Sequence, residues 1–165
     1  FLTWGWWGGD VAYDNTAAYN PGGRDRLSFA TYVAGTLATA AQLPNTGSAT
    51  FKGHMVGNVQ AGNNAYIAVG SYTNTWNWGS SNGTLNVTFD GATYNTATTT
   101  LGTGVQFSGR TTATVSGDTR TLNLNGAFFQ SNNAVAGQAG NFNVTSTGTG
   151  SNAYKAAGTF AAQKQ

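Results

Sequence analysis

Leu122-Asn123-Leu124-Asn125-Gly126-Ala127-Phe128-Phe129, Gly140-Asn141-Phe142-Asn143-Val144 and Tyr154-Lys155-Ala156-Ala157-Gly158-Thr159-Phe160-Ala161-Ala162-Gln163-Lys164 are successive runs in the last third of the chain. In each, apolar residues alternate with polar or small ones, the period of a strand with one face turned to a core. In each, a Gly stands two residues from a Phe, and polar turn residues separate the runs. They read as the closing wall of an antiparallel barrel.

Runs of the same kind precede them. Thr119–Phe129 follows a Gly117-Asp118 turn, Val105–Val115 lies before it, and Leu85-Asn86-Val87-Thr88-Phe89 stops at Asp90-Gly91, a strong hairpin signal. Tyr66–Trp78 follows Gly62-Asn63-Asn64. Between Ala49 and Val59 the period of two puts Ala49, Phe51, Gly53, Met55, Gly57 and Val59 on one face. Leu27–Ala34 is the first of the series, and the Thr/Gly-rich stretch after Gly91 reads as a connection. The count is eight strands with no convincing helical period, which means a sandwich or an up-and-down barrel. Glycines inside the strands at 53, 57, 70, 109, 126 and 158 favour the strongly coiled, closed sheet. The expected architecture is all-β: an eight-stranded antiparallel up-and-down β-barrel over residues 27–165, preceded by an N-terminal Trp-rich arm and a long loop over residues 1–26. In the arm, Leu2, Trp4 and Trp6 share one face and Thr3, Gly5 and Trp7 the other; Gly8–Arg26 is the loop.

Composition narrows the function classes. Charged residues make up 7% of the chain, against a usual share of about 25%, while 39% hydrophobic and 13% aromatic content argues for a folded β protein. Seven basic and five acidic residues are spread thinly, which leaves no nucleic-acid footprint. There is no Cys, and no apolar run approaches a membrane helix. The start at Phe1 is read as that of a processed chain or a fragment.

Phe89-Asp90-Gly91-Ala92-Thr93-Tyr94, Leu124-Asn125-Gly126-Ala127-Phe128-Phe129, Gly140-Asn141-Phe142 and Ala157-Gly158-Thr159-Phe160-Ala161-Ala162-Gln163-Lys164 together resemble the β-barrel domain of the transferrin-binding protein B family. The resemblance spans about residues 48 to 164. It implies an extracellular or bacterial cell-surface (outer-membrane-associated) location and a binding role, and it carries over no transferrin-contacting residue. The lipid-anchoring Cys of such lipoproteins is absent from this chain.

His54 is the sole histidine, so clusters of several His are excluded and no metal site is expected. It shares a strand face with Lys52 and Val56, and as a lone axial ligand it is the candidate for haem. Asp10, Asp14 and Asn15 could offer oxygens to calcium, but their spacing fits no EF-hand. No Gly-x-Ser-x-Gly elbow exists, and Asp90 and Asp118 read as turn residues, so catalysis lacks its groups. Tyr66, Tyr72, Trp76 and Trp78 fall on one face, open to a reading as core or as a docking surface. The expected partner-contacting set is Trp4, Trp6, Trp7, Tyr72 and Trp76. The expected function is a non-enzymatic, secreted or surface-displayed module that binds a protein partner. A self-assembling subunit of an array or fibre and a haem carrier are the alternatives.

Overall fold

The computed structural model describes residues 1–12, 24–150 and 153–165, with 9–12 and 24–29 described by backbone alone. Ten strands follow one another: β1 (Leu2–Ala12), β2 (Arg24–Gly35), β3 (Ser48–Ala61), β4 (Asn64–Asn77), β5 (Asn82–Phe89), β6 (Ala92–Leu101), β7 (Gln106–Val115), β8 (Asp118–Ser131), β9 (Ala134–Ser146) and β10 (Tyr154–Lys164), with a 3-10 turn at Ala40–Gln42. Strands β3 to β10 pair antiparallel in chain order and close through β10–β3 into an eight-stranded barrel. Strands β1 and β2 form a separate antiparallel hairpin, with Leu2 opposite Gly35 and Trp7 opposite Ala30.

The expected barrel is present, but one of its strands differs. The Leu27–Ala34 run pairs with the arm and not with the barrel. Its place in the cylinder is taken by β6, the stretch read as a connection. Partners run Val87↔Tyr94 and then Leu85↔Ala97, so Asn86 faces two residues of β6. This bulge shifts the inward parity from Ala92 and Tyr94 to Thr99. A strand that changes parity in its middle shows no period of two. Part of the long loop is also strand, since β1 runs to Ala12 and β2 starts at Arg24; the rest, with Asp14 and Asn15, lies outside the described residues.

The turns agree with their residues. Asp90 and Gly91 have φ of 52° and 72° between the paired residues Phe89 and Ala92, a two-residue hairpin that requires φ > 0 at both positions. Ser116-Gly117, one residue earlier than Gly117-Asp118, makes the same kind of turn between Val115 and Asp118.

The inward faces fill the cylinder. Phe51, Met55, Tyr72, Trp76, Leu85, Phe89, Phe107, Leu122, Leu124, Phe128 and Phe160 are all essentially inaccessible. An eight-stranded barrel is just wide enough for such filling. The in-strand glycines make room for it: a Cβ on Gly126 would come within 2.6 Å of Phe107 Cζ and 2.7 Å of Phe160 Cζ. One polar knot sits among these rings. Tyr72 Oη donates to Gln138 Oε1 at 2.6 Å, and Asn74 Nδ2 lies 3.1 Å from both Gln138 Oε1 and Thr99 Oγ1. Outward positions carry mainly Thr and Asn, so the polarity is the reverse of a membrane-spanning barrel, whose apolar side chains face out. No helix among the described residues is long and apolar enough to cross a membrane.

Candidate functional site

The hairpin of β1 and β2 lies against the outer face of the closing wall. In register across four strands stand Ala127, Ala139, Ala161 and His54. The alanines make a shallow track, and Leu2 and Val33 pack over it together with Phe129, Ala139 and Ala161 as a second small core. Gly137 continues the track, since a Cβ there would lie 2.7 Å from the Phe1 ring. At the far end of the row Trp4 stacks on His54, with ring centroids 6.5 Å apart and planes 9° from parallel.

Beyond this pair a groove of about 410 Å³ runs between arm and barrel, lined by Trp4, Trp6, His54, Val56 and Val69. Val56 points outward yet is only 6% exposed, whereas Val69, its partner on β4, is 70% exposed and neighbouring Ile67 is 49% exposed. Trp6 is 60% exposed and Trp7 52%. Strand alternation puts Trp7 on the hairpin face turned away from the barrel, the face on which Tyr32 reaches across Gly5. An apolar strip of this kind on a chain with so little charge is the feature expected of an interaction surface.

The expected site residues therefore divide. Trp4, Trp6 and His54 come together in one groove, and Trp7 is exposed on the other side of the same arm. Tyr72 and Trp76 do not join them. Both point into the barrel and are 1% exposed, Tyr72 stacked on Phe160 at 4.6 Å and Trp76 edge-on to Phe128 at 4.9 Å. Their shared face is the core face, and as docking residues they are corrected. His54 stands on the outer face of the barrel with its ring stacked on Trp4, away from the interior filled by side chains. Among the described residues no group of His, Cys, Asp or Glu is arranged to hold a metal ion.

A second cluster, of whose members Asp90 was expected only as a turn residue, occupies the barrel end where β3 turns into β4, β5 into β6, β7 into β8 and β9 into β10. Asp90 Oδ2 accepts from Tyr66 Oη at 2.8 Å and Tyr154 Oη at 2.9 Å, and lies 3.9 Å from Arg120 Nη1. The Arg120 guanidinium sits over the Tyr154 ring, 3.6 Å from its centroid. Burial raises the Tyr154 phenol well above its ordinary range, and the adjacent Asp90 carboxylate adds to the shift. Burial likewise pushes Tyr94 up to about 12. The Phe89–Tyr94 hexapeptide contains two members of this cluster; the others stand on strands far away in sequence.

No protein-family model matches the chain, and no curated protein matches it in sequence. Solved structures do match in fold. A mutant of the vaccine antigen transferrin-binding protein B from Haemophilus parasuis Hp5 superposes with a TM-score of 0.63 at 16% identity, over 85% of this chain and 30% of that one. A protein described as a surface lipoprotein superposes with a TM-score of 0.60 at 14% identity, over 97% of this chain and 76% of that one. Intact transferrin-binding protein B with its N and C lobes gives a TM-score of 0.54 at 14% identity, over 86% and 31%. The fold is thus a transferrin-binding protein B-like β-barrel, as the closing runs implied. The chain spans about a third of the length of the transferrin-binding protein B chains it matches.

Proposed function

We propose that this chain is a non-enzymatic module, secreted or displayed at a bacterial surface, that binds a protein partner through its aromatic arm. The observation that carries this reading is the contrast between a barrel filled with side chains and an outer groove where Trp4 and Trp6 meet Val56 and Val69. A filled cylinder offers no room for a small ligand in its interior, so recognition belongs on its exterior. Large amphipathic rings on a short strand are the residue type that dominates interface energetics. The surface location is supported by likeness to a surface lipoprotein and to transferrin-binding protein B, the latter named for a protein ligand.

The test is affinity capture from host fluids and from bacterial envelope fractions, with wild type and a Trp6→Ala/Trp7→Ala variant side by side. A partner held by the wild type and weakened at least ~10-fold in the variant is expected, one or two hot-spot residues being worth about 2 kcal/mol or more. Equal capture by both proteins would remove the arm from the interface.

Self-assembly rests on a different observation. The β1–β2 hairpin is a two-stranded sheet with no third strand paired to either edge among the described residues, and open edges invite strand addition. Light scattering over a concentration series tests it. A monomer throughout, both intact and without residues 1–7, would end that alternative.

A further inference from the structure

The barrel end built around Arg120 shares no residue with the groove beside the arm, and its side chains are poorly satisfied as they stand. A cavity of about 650 Å³ opens there, lined by Asn64, Ser116, Asp118, Arg120, Thr147 and Tyr154 among others. Its size falls within the range of small-ligand pockets, and barrel mouths are a common place for them. Two donors beneath it lack acceptors. Arg120 Nε is buried with no partner, and so is the hydroxyl of Tyr94, a residue only 2% exposed. Tyr94 is close enough to Arg120 and Asp90 for both charges to act on its phenol. Buried donors without acceptors are costly, and the guanidinium is held here by a ring face and by a carboxylate whose Oδ2 already accepts from two phenols. At 3.9 Å the Asp90 contact is an ion pair and not a hydrogen bond.

The charges around the cavity decide what it could hold. Asp118 lies on its rim with Oδ1 accepting from Thr147 Oγ1 at 2.7 Å and from the Gly148 N–H at 2.8 Å. The Thr147 hydroxyl is the main reason its carboxyl stays below the usual range, so it is ionised at neutral pH. Asp90 brings a second carboxylate against the single guanidinium. An anion drawn to Arg120 would meet two carboxylates, and a cation would meet Arg120. A neutral polyol suits both, because each hydroxyl can donate to a carboxylate and accept from a guanidinium or a phenol. Asn64 offers both functions as well.

We propose that this barrel end is a binding site for a neutral saccharide, with Arg120 and Asp118 making the polar contacts and Tyr94 and Asp90 positioning the guanidinium. The experiment is a glycan array carrying neutral, sialylated and sulfated glycans, probed with the labelled chain and with Arg120→Lys, Asp118→Asn and Tyr94→Phe variants of confirmed fold. Expected is retention of neutral glycans over charged ones, lost about 10-fold or more in Arg120→Lys and Asp118→Asn. Tyr94→Phe is expected to weaken retention less. Amide chemical shifts on adding a retained glycan should move around residues 116–120 and 147–148 and stay unmoved along β1. Overturning results are retention of no glycan, a preference for sialylated or sulfated glycans, retention unchanged in Arg120→Lys, or shifts that map to the arm. Because the arm groove shares no residue with this site, failure here leaves the partner-binding reading intact.

Discussion

Trp4 and His54 lie face to face, 6.5 Å between centroids and 9° from parallel, and this pair marks where the arm meets the end of an alanine row on the barrel wall. The ring of a residue near the start of the chain is thereby held against β3, and the hairpin becomes part of the barrel's outer surface. The arm is at once anchored and presented.

If that stack anchors the arm, Trp4→Ala should loosen it without unfolding the cylinder. Aromatic pairs of this geometry contribute about 0.5–1.5 kcal/mol beyond their burial. Limited proteolysis is expected to cut β1 several times faster in Trp4→Ala, while the melting transition of the barrel stays close to wild type. A large drop in melting temperature would instead show that arm and barrel unfold as one unit.

The glycine at 126 makes room for two core rings. Gly126→Ala must displace the tips of Phe107 and Phe160, and overpacking of this kind costs about 1–3 kcal/mol. Denaturant unfolding should show that loss, and adding Phe160→Leu should recover part of it by removing one of the two ring tips.

The polar knot should behave as a coupled unit. Gln138→Leu takes away the acceptor shared by Tyr72 Oη and Asn74 Nδ2, and stranding buried donors costs about 1–3 kcal/mol each. Tyr72→Phe is expected to be milder, and the double variant less destabilised than the sum of the two. A strictly additive result in a double-mutant cycle would show that the pair is not coupled.

The barrel should also have an alkaline limit set by its tyrosines. Burial raises Tyr72, Tyr94 and Tyr154 above the ordinary phenol value of 10.0, Tyr94 to about 12. A phenol with a raised value keeps its proton in the folded chain when the unfolded chain has lost it. Its contribution is therefore intact below 10.0 and declines progressively up to about 12 for Tyr94. Tyrosinate absorbance and far-ultraviolet circular dichroism followed together should show these phenols ionising only as the strands are lost. Early, reversible ionisation of every tyrosine at its ordinary value would contradict this.

Much of the cylinder was legible because most of its strands keep strict alternation. Ala49 to Val59, Leu85 to Phe89 and Leu122 to Phe128 each put large residues on one parity, and those residues form the core. Strand β6 was not legible because its bulge opposite Asn86 changes the inward parity and because Thr fills half of its positions. Alternation also cannot tell the two faces apart in purpose. Trp4 and Trp6 are an exposed set, Tyr72 and Trp76 a buried one, yet both read as aromatics on a common strand face. What separated them was closure, which turns one parity of β4 inward on all sides. The meeting of Arg120 with Asp90 and Tyr154 was illegible for a related reason, since the three residues stand on turns and strands brought together only by the finished ring.

The bulged strand has a consequence for the cylinder as an object. Strands β6 and β7 share only the pairs Thr99↔Gly109, Thr100↔Ser108 and Leu101↔Phe107, whereas β7 is paired with β8 along its whole length. Above those pairs the Thr111 hydroxyl reaches the Asn95 carbonyl across the gap. A cylinder with one such seam is mechanically a rolled sheet, and it unrolls where the ladder is shortest. Amides on either side of that seam should exchange before those of the β10–β3 junction, although that junction joins the first and last strands of the ring. Unrolling would also bare two strand edges to a neighbouring molecule, so crowding would act first on this side of the barrel.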